Sequence, residues 1–174
     1  PNQLIVENVS LNESIKGSLG IIKGIFEPRK LNIECKNSEY ANIETDLNLD
    51  SLKLLYLTRS LVTIYQNAIV HGETDVNHDF KVTLKTNHDS IEISITNSVS
   101  QQTEDHIIEN NIISEVRSFK KGEKKELLIT EGGTGLYKAY RYIVDTFVDS
   151  SFAVNLDNKE FTQTICLPKQ SLCD

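Results

Sequence analysis

Two pairs of predicted β-strands constrain the fold of this chain more than any other feature of its sequence. In the first pair, apolar and polar residues alternate over 80–84 and again over 91–95. The second pair is predicted around 152–156 and 161–167, with a turn at Asp157-Asn158. Strands of this kind bury one face of an antiparallel sheet and leave the other face to solvent. The sequence therefore favours a sheet that is covered by helices on one face.

Three predicted helices can supply that cover. The first follows an S-x-x-E capping box at Ser10 and ends before Pro28, the second spans roughly 51–71, and the third starts directly after the glycine-rich turn at 132–135. A short strand is predicted at 31–35 between the first two helices. This order predicts an α/β (α+β) two-layer sandwich, with a mixed, mainly antiparallel sheet and helices on one face.

A long polar segment separates the two strand pairs. Residues 98–131 show patchy periodicity and carry a cluster of basic side chains from Arg117 to Lys125. Segments of this length with few regular elements are usually lids or disordered regions. We interpret 98–131 as a lid within a single domain spanning 1–174, with a short tail at 169–174.

Composition narrows the classes of partner. The net charge of −7 argues against nucleic-acid binding, because nucleic-acid-binding domains present a basic surface. The sequence has no apolar run long enough to cross a bilayer, so no membrane contact is expected for this segment. Its three cysteines form no CxxC pair, which suits a reduced, cytoplasmic domain. The lack of any methionine suggests that the chain is a segment of a longer protein.

The turn Gly132-Gly133-Thr134-Gly135 gives the strongest chemical signal. It stands directly before a helical pattern, so free backbone N–H groups and the positive end of the helix dipole would face a bound anion. Glycines allow a phosphate to approach that backbone closely. The motif matches neither the dinucleotide fingerprint nor the P-loop, and such a turn is more often only a flexible loop.

Two polar residues near the end of the second predicted helix have two interpretations each. Asn67 lies among apolar residues and is either an oxygen ligand for Mg²⁺ or an amide that bonds to local backbone. His71 stands just before Gly72 and is either a catalyst or, as is more common for a lone histidine there, a capping or dipole partner of the helix C-terminus. The histidines show no metal-ligand spacing, and no local Ser/His/Asp or Cys/His signature is present.

Taken in order, three segments resemble the ATP-binding (Bergerat-fold) domain of the GHKL superfamily, most closely the catalytic domain of sensor histidine kinases. The segment 61–72 is similar to the family's N box, an Asn-Ala helix that ends in a His-Gly turn. The segment 91–98 stands where a strand leads into the Asp-x-Gly adenine motif. The segment 132–136 matches the second glycine box. The resemblance extends over nearly the whole chain.

The resemblance implies a site for Mg-ATP. In it, Asn67 would ligate Mg²⁺, the glycine box would line the triphosphate, and Asn97 would meet the adenine. The implied site residues are Asn67, His71, Asn97, Ser98, Gly132, Gly133, Thr134, Gly135, Leu136 and Thr164. No residue of this segment is implied as a catalytic group.

The resemblance also implies an activity and its partners. It implies a protein histidine kinase of two-component signalling, whose ATP-binding domain presents the γ-phosphate to a histidine on a separate dimerisation domain. A response regulator would act downstream, and dimerisation would occur through the upstream domain. The parent protein would be cytoplasmic at this segment, whether or not it is anchored in a membrane upstream.

Four positions depart from the family pattern. Asn97 replaces the adenine-binding Asp, Val99 replaces the following Gly, and Val70 replaces a phosphate-binding Lys. Thr63 stands where the ATP-hydrolysing branch has a general-base Glu, and a threonine hydroxyl cannot take up a proton near neutral pH. Asn97, Val99 and Val70 favour one alternative, a degenerate domain that acts as a pseudokinase or protein-interaction module. A second alternative is a stand-alone kinase similar to the anti-sigma-factor serine kinases, against which Thr63 counts.

Overall fold

The computed structural model describes residues 11–37, 49–73, 78–119 and 134–173. Their helices are α1 (Leu11–Ile25), α2 (Ser51–His71), α3 (Gln101–Glu109), α4 (Ile112–Arg117), α5 (Thr134–Val144) and α6 (Gln170–Cys173). Their strands are β1 (Ile33–Asn37), β2 (Phe80–Thr86), β3 (Ser90–Ser98), β4 (Ser151–Asp157) and β5 (Glu160–Pro168). The predicted cap at Ser10 lies outside the described residues. None of the described helices is both long enough and apolar enough to cross a membrane.

The five described strands form one sheet in the order β1-β2-β3-β5-β4. Strand β1 pairs with β2 in parallel, and every other pairing in this sheet is antiparallel. The predicted mixed, mainly antiparallel sheet is therefore confirmed. Between β3 and β5, Asn97 pairs with Phe161 and Ile95 pairs with Gln163. This register sets which side chains of the two strands share a face.

The core lies between one face of the sheet and a layer formed by α1, α2 and α5. Apolar residues at every second position of β3, such as Ile93, are fully buried against that layer, as is Leu61 of α2. The opposite face carries hydroxyl pairs, with Ser94 Oγ lying 3.1 Å from Thr164 Oγ1. One buried face and one polar face explain the alternation in the sequence.

Helix α2 begins and ends where the sequence predicts. Asp50 accepts hydrogen bonds from the backbone N–H groups of Leu52 and Lys53, both at 2.8 Å, and so satisfies two free donors of the first turn. In the middle of the helix, Tyr65 is fully buried and stacks on Phe80 of β2 with ring centroids 5.1 Å apart. Burial raises the pKa of the Tyr65 hydroxyl, so this residue stays neutral and anchors α2 to the sheet.

Two predicted segments contain more regular structure than we expected. The first part of the proposed lid forms α3 and α4, where Ser100 accepts from the Thr103 N–H at 3.2 Å as an N-cap. Each of these short helices buries one apolar residue, Ile107 and Val116. The supposed tail contains α6, whose Leu172 is fully buried. Single buried residues give no periodic signal, so the sequence does not predict these three helices.

The hairpin between β4 and β5 turns one residue later than predicted. Asp157 pairs with Glu160, so Asn158 and Lys159 form the turn, with φ of 48° and 63°. Two consecutive positive φ values match a type I′ turn, which favours Asn-Gly. Lysine is strained there because its Cβ meets the neighbouring carbonyl in the left-handed region.

We therefore expect Lys159→Gly to stabilise the chain by about 0.5–1 kcal/mol, measured by urea unfolding. Asn158→Gly is the control and should change stability less, because asparagine tolerates a left-handed conformation. A Lys159→Gly variant that is no more stable than the parent would show that the turn carries no such strain.

Candidate functional site

A pocket of about 130 Å³ opens at the end of the sheet where β3 finishes and β5 begins. Its walls come from the last turns of α2, the end of β3, the first turn of α5, and α3 with the start of α4. The lining residues are Asn67, His71, Asn97, Val99, Thr103, His106, Ile107, Ile112, Gly135, Leu136 and Phe161. The pocket thus joins residues from all three segments of the family resemblance.

Asn67 and Gly135 meet in this pocket although they are far apart in sequence. A Cβ atom added at Gly135 would lie 2.6 Å from Asn67 Oδ1 and 2.8 Å from Asn67 Nδ2. Real Cβ atoms do not approach other atoms that closely, so only glycine leaves the Asn67 amide in this position. The first turn of α5, the positive end of its dipole, therefore lies directly against an amide oxygen that can ligate a cation.

Asn97 lines the pocket and carries a buried hydrogen-bond acceptor. Its side chain is 2% exposed, and its Nδ2 donates to the Ser98 carbonyl at 3.1 Å. The same carbonyl accepts from the Glu73 N–H at 2.7 Å. The Asn97 Oδ1 is buried and has no hydrogen-bond partner among the described residues. Because the nitrogen end is held by a carbonyl, the oxygen end is the one available to a donor, such as an amino group.

The turn after α2 packs against the same side chain. A Cβ added at Gly72 would lie 2.2 Å from the Ala68 carbonyl oxygen and 3.2 Å from Asn97 Nδ2. Glycine at this position lets the chain leave α2 close to its own last turn and pass beside Asn97. The His-Gly turn therefore connects the Asn67 wall of the pocket with the Asn97 wall.

The described part of the predicted lid is attached to the site at both ends. It starts from β3, and at its other end Phe119 packs edge-on against Tyr137 of α5, with ring centroids 5.1 Å apart. The Tyr140 hydroxyl donates to the Phe119 carbonyl at 3.1 Å. Between these attachments, Thr103 and His106 face the pocket. This segment is therefore a wall of the site.

The structure brings five of the predicted site residues together around the pocket: Asn67, His71, Asn97, Gly135 and Leu136. Ser98 contributes its backbone carbonyl, and Thr164 lies on the opposite face of the sheet beside Ser94. Gly132 and Gly133 lie outside the described residues, as does the basic cluster from residue 120 onward. Thr134 is the first residue of α5, and its side chain also lies outside the description.

One buried polar residue near the site was missed. Gln163 is fully buried on the helix-covered face of β5, and neither atom of its amide has a partner among the described residues. The signal was present in the sequence, because Gln163 occupies an inward position between Phe161 and Ile165 in an alternating strand. A glutamine at such a position is unusual, since buried amides normally find hydrogen-bond partners.

Comparison with known proteins identifies the fold. No protein-family profile matches the chain, and no curated protein matches its sequence. The catalytic domain of histidine kinase ThkA, in a nucleotide-free form, has a similar structure, with a TM-score of 0.63, 19% identity, and coverage of 94% of this chain and 97% of that domain. The Acinetobacter baumannii histidine kinase AdeS is also similar in structure, with a TM-score of 0.59, 14% identity, and coverage of 97% of this chain and 69% of AdeS. The chain therefore has the fold of histidine kinase catalytic domains.

Proposed function

We propose that this chain is the ATP-binding catalytic domain of a histidine kinase. The observation that carries the proposal is the pocket itself, which is lined by Asn67, Gly135 and Asn97, a residue whose buried Oδ1 has no partner among the described residues. This arrangement provides an oxygen ligand, a helix N-terminus and a buried acceptor. Those three features match the metal, the phosphates and the amino group of Mg-ATP.

The residues present fit this ligand. Asn67 would hold Mg²⁺ through its amide oxygen, the kind of hard ligand that this ion prefers. The first turn of α5 would receive the phosphates on its N–H groups. Asn97 Oδ1 would accept a hydrogen bond from the adenine amino group. The described residues contain no cluster of three or more His, Cys, Asp or Glu, so the phosphates themselves would provide further metal ligands.

The proposed role of the site is to orient a phosphoryl donor. Bound Mg-ATP would supply the γ-phosphoryl group, and the chain would contribute position and charge neutralisation. The acceptor would be a histidine on a separate dimerisation domain, and a response regulator would act downstream. Thr63 donates its hydroxyl to the Arg59 carbonyl at 2.8 Å, so it offers no base to activate water. Phosphoryl transfer is therefore favoured over hydrolysis.

Three observations favour a second candidate, a degenerate domain that serves as an interaction module. Val99 is 1% exposed and its N–H donates to the Lys159 carbonyl at 2.8 Å, so this backbone donor is not available to a base. Val70 is 64% exposed and gives the phosphates no cation. An amide at position 97 also accepts a hydrogen bond more weakly than a carboxylate.

Calorimetric titration of the chain with a non-hydrolysable ATP analogue separates the two candidates. We expect Mg²⁺-dependent binding in the micromolar range, equivalent to about 8 kcal/mol. The same titration without Mg²⁺ should give clearly weaker binding, because the phosphates would then lack the ion that joins them to Asn67. No binding at millimolar nucleotide would reject the kinase proposal and favour the interaction module.

A further inference from the structure

The amide of Gln163 is a buried group for which the fold alone gives no reason. The residue is 0% exposed, and both its Oε1 and its Nε2 lack partners among the described residues. A buried polar atom without a partner is costly, so native proteins usually satisfy it with protein, water or ligand. An apolar side chain of similar size would suit a purely structural position better. Gln163 therefore calls for a functional explanation.

The register of the sheet places Gln163 beside Asn97. Gln163 pairs with Ile95 on β3, and Asn97 is the next residue of β3 on the same face, opposite Phe161. Residues in this diagonal relation are within reach of each other when the side chains are long. Asn97 Oδ1 is also buried without a partner among the described residues. Acceptor and donor groups on two adjacent strands are thus left unsatisfied together.

The two amides are chemically complementary. The carbonyl oxygen of Asn97 has two lone pairs, and the Gln163 Nε2 carries two donors. A direct bond after a side-chain rotation, or one bridging water, would satisfy Asn97 Oδ1 and Gln163 Nε2.

We propose that Gln163 is a positioning residue for base recognition, acting on Asn97 directly or through a bridging water. This inference rests on the proposed nucleotide function of the pocket. Gln163 occupies one lone pair of Asn97 Oδ1, and the Ser98 carbonyl holds Asn97 Nδ2 at 3.1 Å. The amide of Asn97 is then fixed at both ends and cannot rotate to exchange its oxygen and nitrogen. Its second lone pair faces the ligand.

A fixed acceptor selects among purines. Adenine presents an amino donor at position 6, whereas hypoxanthine presents a carbonyl acceptor there. An Asn97 amide held with its oxygen towards the pocket favours adenine and repels hypoxanthine. Without Gln163, only the Ser98 contact opposes rotation, and the Nδ2 group can turn towards the carbonyl of hypoxanthine. Gln163 is thereby expected to control the ratio of ATP to ITP affinity.

The test is titration of the 174-residue chain with Mg-ATP, Mg-ITP and Mg-tripolyphosphate, as parent, Gln163→Met and Gln163→Leu. We expect the parent to prefer ATP over ITP by about tenfold or more, and this preference to fall towards one in both variants. Binding of tripolyphosphate, which has no base, should be unchanged in both. Cys166→Ser is the control, because Cys166 lies on the same strand but at a position that alternates with Gln163.

The outcomes separate this inference from the proposed function. A folded Gln163→Met or Gln163→Leu variant that keeps the parent's ATP preference would overturn the role of Gln163 and leave the nucleotide site intact. If a Gln163 variant loses as much affinity for tripolyphosphate as for ATP, the role of Gln163 in base recognition would also be overturned, because the substitution then disrupts the whole site. A parent chain that binds none of the three probes would overturn the nucleotide function and this inference with it.

Discussion

Replacing Asn67 with alanine is expected to weaken Mg-nucleotide binding by about 100-fold. The side chain lines the pocket against the first turn of α5, and removing it would take away the proposed protein ligand of Mg²⁺. Interactions with charged groups are worth about 1.5–3 kcal/mol, which corresponds to this loss. Stability should change by less than about 1 kcal/mol, because the residue is only partly buried and alanine is the better helix former.

Calorimetric titration and urea unfolding of the same protein samples test both halves of this prediction. Gln66→Ala is the matched control, since Gln66 is the adjacent residue of α2 and does not line the pocket. Gln66→Ala should leave the affinity for Mg-nucleotide unchanged. The difference between Asn67→Ala and its parent should also shrink when Mg²⁺ is omitted. Full affinity in Asn67→Ala would refute the assignment of Asn67 as a metal ligand.

Gly135→Ala is expected to lower nucleotide affinity by at least about tenfold without unfolding the chain. The added Cβ would lie 2.6 Å from Asn67 Oδ1, so the amide has to move away from the first turn of α5. That amide is the end of a side chain and can rotate, so the fold tolerates the change. The better helix propensity of alanine also offsets part of the cost.

Gly17→Ala provides the contrast for this experiment. Gly17 is also a helical glycine, in α1, but a Cβ added there meets no atom within 4 Å. Its replacement should raise the free energy of unfolding by about 1 kcal/mol and leave nucleotide affinity unchanged. If Gly135→Ala binds nucleotide as tightly as Gly17→Ala does, the close approach of α5 to Asn67 has no importance for binding.

The sequence predicts best those features that depend on local chemistry. Helix α2 runs from the Asp50 cap to Gly72 as expected, because its cap, its apolar stripe and its breaker all lie in one continuous segment. Helices α3 and α4 were not predicted, because each depends on one buried residue, Ile107 or Val116, and on contacts with distant elements. Tertiary packing decides such cases, and a single sequence does not reveal it.

The site was only partly predictable for a related reason. The contact between Asn67 and Gly135 joins two distant segments, so spacing could not reveal it, and the family resemblance alone suggested it. The face of each β5 residue could have been predicted from the alternation itself. Phe161 and Ile165 face inward, which places Gln163 inward and Thr164 outward. The alternation therefore predicts that Gln163, and not Thr164, lies on the helix-covered face of the sheet.

The parallel pairing of β1 with β2 has a consequence for the order of folding. The hairpins β2–β3 and β4–β5 close short loops. The loop that must close to pair Ile33 with Phe80 is longer, because it contains the whole of α2. Closing that longer loop costs about 2 kcal/mol more chain entropy than closing a hairpin. We therefore expect β1 to join the sheet late and to open first in amide hydrogen exchange. The pocket of Asn67 and Gly135, built at β3, β5, α2 and α5, would then form before the sheet is complete.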